Sequence, residues 1–272
     1  MPDPVVDMSD NAPPSPAARA RLKGELYLFD YGMVYAGPWQ SREFTTRFMA
    51  TVLVSIDGRP FRIETEAQTL EVSAIAIRPF VRRRLVAPEV AIVSTGVSPL
   101  HACYRVFREL PENGMLPLEH SLFDAQHEKR LRAAAGHLHG REPAALAQSM
   151  CETLALQVPP VGALDSRVAR VLARLDLEPG TSLDVLADEV GLSYDRLSHL
   201  FSDEMGLPLR SYALSQKIHR AASLVGRGMN LTEIALAAGF ADSAHFSRVW
   251  SKAFGASPAA FFSNSGVGLQ HA

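Results

Sequence analysis

The stretch from Ser182 to Phe262 constrains this chain more than any other, because one helical grammar is written in it twice. The first copy reads LADEVGLSYDRLSHLF (186–201) and the second LTEIALAAGFADSAHFSRVW (231–250). Each opens as a helix of apolar and small residues and stops at a Gly followed by an apolar residue, Gly191-Leu192 and Gly239-Phe240. Each resumes behind a polar cap, Ser193 or Asp242, as a second amphipathic helix. Gly takes a left-handed turn without steric cost, and a Ser or Asp cap accepts from the first free amides of the new helix. In the first copy Leu197, Leu200 and Phe201 fall at i, i+3, i+4 and turn inward, leaving Asp195, Arg196, Ser198, His199 and Ser202 outward. In the second, Ile234, Ala235 and Ala238 make a support helix small enough for a close crossing. Phe246, Val249, Trp250 and Ala253 form the buried stripe, and Ser243, Ala244, Ser247 and Arg248 lie on or near the open face with His245 beside it. This is a helix-turn-helix stated twice, at about 181–204 and 231–254.

Between the copies, LRSYALSQKIHRAASLVGRG (209–228) reads as one long helix. A rigid spacer fixes the separation of two recognition helices, which reach successive major grooves when held about 34 Å apart on one face. The run IALAAGFADSAHFSRVW (234–250), followed by GASPAAF (255–261), closely resembles the signature of the AraC-type (AraC/XylS) bacterial transcription regulators. The matching positions are Ile234, Ala235, Gly239, Phe240, Asp242, Ala244, Phe246 and Arg248, then Gly255, Ser257, Pro258 and Phe261. Three positions depart: Trp250 where Phe is usual, Ser251 where Lys is common, and Phe262 where an Arg often closes the motif. The last two remove cations near phosphate. Among the outward residues, Asp195, Arg196, Ser198 and His199 in the first motif and Ser243, Ala244, His245 and Arg248 in the second are the candidates for base readout, and Ser193 and Ser243 can hydrogen-bond phosphate. The resemblance implies a sequence-specific binder of double-stranded DNA. It places Arg248 toward the major groove, where a guanidinium meets guanine O6 and N7. It further implies an N-terminal cupin-like domain for effector sensing or dimerisation, a homodimer, and activation through RNA polymerase.

The upstream chain fits an α+β protein. Residues 1–20 are rich in Pro, Ser, Asp and Ala without periodicity and read as a disordered tail. Residues 21–160 form the expected sensor domain, a small β-barrel or sandwich followed by helices. In ATVLVSIDGRPFRIETE (50–66) two β-rich runs flank Asp57-Gly58, which predicts a hairpin. EVSAIAIRPF (71–80) and LVAPEVAIVST (85–95) continue the strand pattern. Helices are expected at 100–110, 124–139 and 143–157, either pairing two subunits or packing on their own β-domain. PPVGAL (159–164) is the linker, and Asp165 caps the first helix of a DNA-binding domain spanning 165–264.

The cluster RPFVRRR (78–84) is the candidate effector site. Arg78 and Arg82 make an R-x-x-x-R spacing that resembles the arginine pair with which PilZ-type domains hold cyclic di-GMP. Arg78, Arg82, Arg83 and Arg84 are therefore candidates for an anionic small-molecule or nucleotide effector, arginine being a bidentate and stacking cation. The bland reading is a solvated run that discourages edge pairing.

Composition sets the remaining bounds. At 272 residues the chain has room for two domains. It has no run of eighteen apolar residues, and its two cysteines make no disulfide framework. A reduced, cytoplasmic protein without membrane contact is expected. The formal charge of −2 is not the usual footprint of a nucleic-acid binder. Its distribution is more useful, because the first motif is acidic while Arg210, Lys217, Arg220, Arg227, Arg248 and Lys252 load the second half with positive charge. The acidic first motif also leaves open a ligand- or protein-binding module with vestigial DNA contact. No histidine lies between residues 1 and 100, so neither a metal nor a cofactor is expected there. His101 and Cys103, two apart on an expected helix, point to different faces and form no metal pair. No G-x-S-x-G, phosphate loop or H-E-x-x-H is present, which argues against an enzyme.

Overall fold

The computed structural model describes residues 25–29, 31–41, 44–123, 138, 141–224, 227–254, 257–259 and 268–271. The expected tail at 1–20, all of the segment 124–139 except Leu138, and Gly255, Phe261 and Phe262 lie outside them.

One sheet dominates the N-terminal half. Its strands are β1 (Glu25–Phe29), β2 (Gly32–Gln40), β3 (Thr45–Thr46), β4 (Ala50–Ser55), β5 (Phe61–Glu64), β6 (Thr69–Val72), β7 (Ala74–Ile77), β8 (Arg82–Val97), β9 (Met115–Pro117) and β10 (Gly268–His271). The main path runs β10-β1-β2-β8-β4-β7-β9, antiparallel throughout except for the β1–β10 pair. β8 is the hub. Its 16 residues are long enough for its two halves to serve different partners, β4 along 92–97 and β5 along 84–86. Between them, Ala87 pairs with Trp39 and Ile92 with Gly37, so residues 88–91 bulge out of register. Pro88 has no N–H to give a ladder there, which suits a bulge.

That division overturns the expected hairpin at Asp57-Gly58. The turn exists, with Gly58 at φ 72°, but β4 and β5 do not pair with each other. Each has a better partner in β8, and the hairpin of this region is instead β5 with β6.

The sheet has two apolar faces because both are covered. Leu53, Ile63, Ile75, Ile77, Leu85 and Ile92 line one. Val52, Val54, Ala74, Ala76 and Val93 line the other, beneath helix α1 (Glu142–Ala155). Leu146, Met150, Cys151 and Leu154 of α1 are buried against it, so this helix packs on its own domain. The expected helix over 100–110 is a 3-10 turn at Tyr104–Glu109, in which Tyr104, Val106 and Phe107 reach the core.

The C-terminal half is helical: α2 (Ser166–Leu177), α3 (Leu183–Glu189), α4 (Tyr194–Met205), α5 (Leu209–Leu224), α6 (Leu231–Ala237) and α7 (Ser243–Phe254). Among the described residues it meets the sheet domain through the apolar cluster that Phe107 and Leu110 share with Phe201 and Met205, and at further places. Arg105 and Arg108 of the 3-10 turn reach Glu204 at the end of α4. Tyr31 stacks on His219 of α5 with ring centroids 4.4 Å apart. Leu26, Met33 and Met49 share one apolar cluster with Ile218, Phe246 and Trp250. No helix among the described residues is long and apolar enough to cross a membrane.

Candidate nucleic-acid interface

The local chemistry builds the two motifs alike. Ser182 caps α3 by accepting from the Val185 N–H, and Ser193 caps α4 by accepting from the Arg196 N–H at 3.4 Å. Asn230 and Glu233 form a reciprocal capping box at α6. Asp242 Oδ1 accepts from the His245 N–H at 2.6 Å, which starts α7. Gly191 (φ 68°) and Gly239 (φ 84°) turn each pair in the left-handed region. No atom lies within 4 Å of where a Cβ would sit on Gly191, so its conformation rather than space demands glycine there.

Burial divides each recognition helix cleanly. In α4, Leu197 and Phe201 are fully buried while Ser193, Asp195, Arg196 and His199 are exposed and Ser198 is half-buried. In α7, Phe246 and Trp250 are fully buried while Ala244 and Arg248 are exposed and Ser243 and His245 are half-buried. The His245 ring meets Phe240 edge-on, 5.5 Å between centroids, so it is partly committed to packing. Neither Arg196 nor Arg248 is ion-paired with a described residue, in contrast to Arg174, which holds Glu178 and Glu189. The spacer α5 is pinned to α2 and to the second motif. Gln216 Nε2 donates to the Leu175 carbonyl at 3.0 Å, and Lys217 Nζ donates to the Gly239 carbonyl at 2.7 Å.

The four candidate effector arginines do not converge. Arg78 donates to the carbonyls of Phe107 (3.1 Å), Arg108 (2.7 Å) and Leu110, and so ties the 3-10 turn to the sheet. Arg82 pairs with Glu66 and Arg84 with Glu64, both on the outward face of β8. Arg83 alternates to the other face and is 4% exposed, donating to Thr51 Oγ1 (3.0 Å) and the Val81 carbonyl (3.1 Å). It lines a small cavity with Arg47, Ser41, Thr45, Thr51 and Ser94. Burial and the neighbouring Arg47 push the Arg83 guanidinium down to about 9, and burial also lowers Arg47. Arg47, lying 5.8 Å over the Trp39 ring, was missed in the sequence because nothing local marks a lone Arg between Thr46 and Phe48.

His101 and Cys103 are likewise not on separate faces. The segment is a tight turn rather than a helix, and Cys103 Sγ lies 2.9 Å from His101 Nδ1. Among the described residues no cluster of His, Cys, Asp and Glu could hold a metal ion.

A double helix-turn-helix with two capped, solvent-facing recognition helices defines a DNA-binding transcription regulator. Residues 186–264 match the model of a helix-turn-helix domain. The chain is 34% identical over 92 residues to the probable transcription factor PqrA of Proteus vulgaris, covering 75% of that protein and 34% of this one. It is 33% identical over 140 residues to the arabinose operon regulatory protein of Escherichia coli, 47% of each chain, and thus spans about half of that relative's length. The fold as a whole is similar to the crystal structure of ToxT from Vibrio cholerae, with a TM-score of 0.53 at 13% identity over 84% of this chain and 95% of that one. The chain belongs to the AraC-type family of helix-turn-helix regulators.

Proposed function

We propose that α4 and α7 enter successive major grooves on one face of DNA, with Ser193, Asp195, Arg196, Ser198 and His199 on the first and Ser243, Ala244, His245 and Arg248 on the second facing the duplex. The observation that carries this is the pair of exposed guanidiniums, Arg196 and Arg248, without a carboxylate partner among the described residues on helices whose opposite faces are buried. Arg248 is the strongest base contact, and its test is fluorescence anisotropy on a duplex recovered by selection from a random pool. Arg248→Ala is expected to weaken that duplex by about 1–3 kcal/mol and leave non-specific binding nearly unchanged. Equal loss on both would make Arg248 a phosphate contact instead.

The family adds a homodimer, a contact with RNA polymerase, activation and a cytoplasmic setting. Because α1 uses its apolar stripe within its own domain, dimerisation would have to use another surface. Sedimentation of the full chain across a concentration series tests for the dimer.

A second reading concerns the effector. ToxT has been solved with an unsaturated fatty acid bound, and a carboxylate is also the chemistry that the Arg47–Arg83 pair suits. Two adjacent arginines, one nearly fully buried, face hydroxyls with no described carboxylate between them, an arrangement that an anion relieves. Arg83 replaces the wider cluster as the site residue, joined by Arg47. At constant ionic strength, formate is expected to raise the thermal midpoint above that in chloride by about 2–4 °C. Arg83→Met should abolish the difference; an equal response in both proteins rejects the site.

A further inference from the structure

A cleft of about 430 Å³ opens where the sheet domain faces the spacer helix. Tyr31 and Leu100 line it on the sheet side. Asp176 and Pro179, at the end of α2 and just beyond it, line the other side with Gln216 and Arg220 of α5. The cleft shares no lining residue with the cavity that holds Arg47 and Arg83.

The α5 wall carries an unmet acceptor. Gln216 is 7% exposed. Its Nε2 donates to the Leu175 carbonyl at 3.0 Å and lies 3.5 Å from Asp176 Oδ1, which puts the amide end of the side chain at the cleft. Its Oε1 is buried and accepts from no described residue. A buried amide oxygen is rarely left so, because the water it lost is not replaced. The charges of the cleft are also uncombined. Asp176 is exposed and Arg220 half-buried, yet neither forms an ion pair with a described residue, nor do they pair with each other. Gln216 and Arg220 are one helical turn apart, so their side chains start about 5–6 Å from each other. That span suits the ammonium and carboxylate of one α-amino acid with a hydrogen bond at each end.

The sheet side supplies apolar surface. Tyr31 sits at φ 66°, a left-handed conformation costly for an aromatic residue, and its carbonyl accepts from the Ser98 N–H at 2.8 Å. In that conformation its ring lies on His219, 4.4 Å between centroids, and remains 39% exposed. Leu100 and Pro179 extend the apolar lining.

We propose that this cleft binds an α-amino acid with an apolar side chain. Its ammonium donates to Gln216 Oε1 and Asp176, its carboxylate accepts from Arg220, and its side chain lies against Tyr31, Leu100 and Pro179. Such a ligand touches both sides, so its binding ties the sheet domain to the spacer between α4 and α7.

The test is calorimetric titration of the full chain with L-phenylalanine and L-leucine, and saturable binding of at least one is expected. Two analogues of the first each keep one charge: 2-phenylethylamine lacks the carboxylate and 3-phenylpropanoate the ammonium. Each should bind at least about tenfold more weakly than the amino acid. Asp176→Asn and Arg220→Gln should each weaken the amino acid by about tenfold. The first should leave 3-phenylpropanoate unchanged, and the second 2-phenylethylamine. Arg83→Met should bind the amino acid as the native chain does. No saturable binding of either amino acid, or native affinity in both Asp176→Asn and Arg220→Gln, overturns the site. Loss in Arg83→Met moves the carboxylate to the Arg47 cavity and overturns it equally. An analogue with one charge that binds as tightly as the amino acid rejects the zwitterion. For the bridge, amide exchange at 98–101 and at 216–223 should slow together by about threefold or more with the bound amino acid in the native chain, and not in Asp176→Asn. Binding that protects only one of the two segments overturns the bridge alone.

Discussion

Within one run of four arginines, side-chain direction decides what each does. Strand period alone separates Arg83 from Arg82 and Arg84, since successive side chains point to opposite faces. That much was legible in RPFVRRR, although the spacing R-x-x-x-R pointed elsewhere. What could not be read was Arg78, whose three acceptors lie about thirty residues downstream in a turn that sequence periodicity presents as a helix. These differences predict unequal costs. Arg78→Lys removes a fork that serves three carbonyls at once and should cost about 1–3 kcal/mol in urea unfolding. Arg82→Ala breaks a pair whose side chains are 56% and 71% exposed and should fall within about 0.5 kcal/mol of the native chain. Equal losses would mean that the carbonyl contacts of Arg78 are replaced by water at no net cost.

Elements formed by local rules were legible, and those chosen by competition were not. Both helix-turn-helix units lie where their glycines, caps and 3.6-residue stripes put them, because each signal acts within a few residues. The hairpin at Asp57-Gly58 fails for the opposite reason: the turn forms, but β7 and β8 take both edges of β4, and β6 and β8 take those of β5. The 100–110 segment failed because an amphipathic pattern does not distinguish an α-helix from a 3-10 turn whose apolar residues all dip into the core. The turn glycines give the sharpest prediction at this scale. Gly191 sits at φ 68° in open space, so Gly191→Ala adds no clash and isolates the backbone cost. It should destabilise the chain by about 1–2 kcal/mol with α4 still capped by Ser193, measured by chemical denaturation. A neutral result would show that the turn relaxes away from the left-handed region.

At the scale of the molecule, one carboxylate gathers the ion pairs between the sheet domain and the first motif, beside the apolar cluster that Phe107 and Leu110 share with Phe201 and Met205. Glu204 receives Arg105 and Arg108, and its Oε2 also accepts from the Asp165 N–H at 3.3 Å at the end of the linker. Its side chain and that of Arg105 are 19% and 18% exposed, so the pair is partly desolvated, and among the described residues neither arginine pairs with another carboxylate except Glu109 for Arg108. Each motif carries its own stripe of buried residues, and therefore Glu204→Gln should leave the helices folded. The amide still offers one acceptor oxygen but no charge, which leaves Arg105 half-buried and unneutralised, at a cost of about 1–3 kcal/mol. That cost is concentrated at the joint, because the contacts made by Tyr31 and by Met33 and Met49 belong to α5 and the second motif. The expected outcome is faster proteolysis within 159–164 and faster amide exchange in α4, with the second motif unchanged. Uniform acceleration across both motifs would instead mean that the two motifs open as a single unit, with the sheet domain held by its apolar contacts rather than by Glu204.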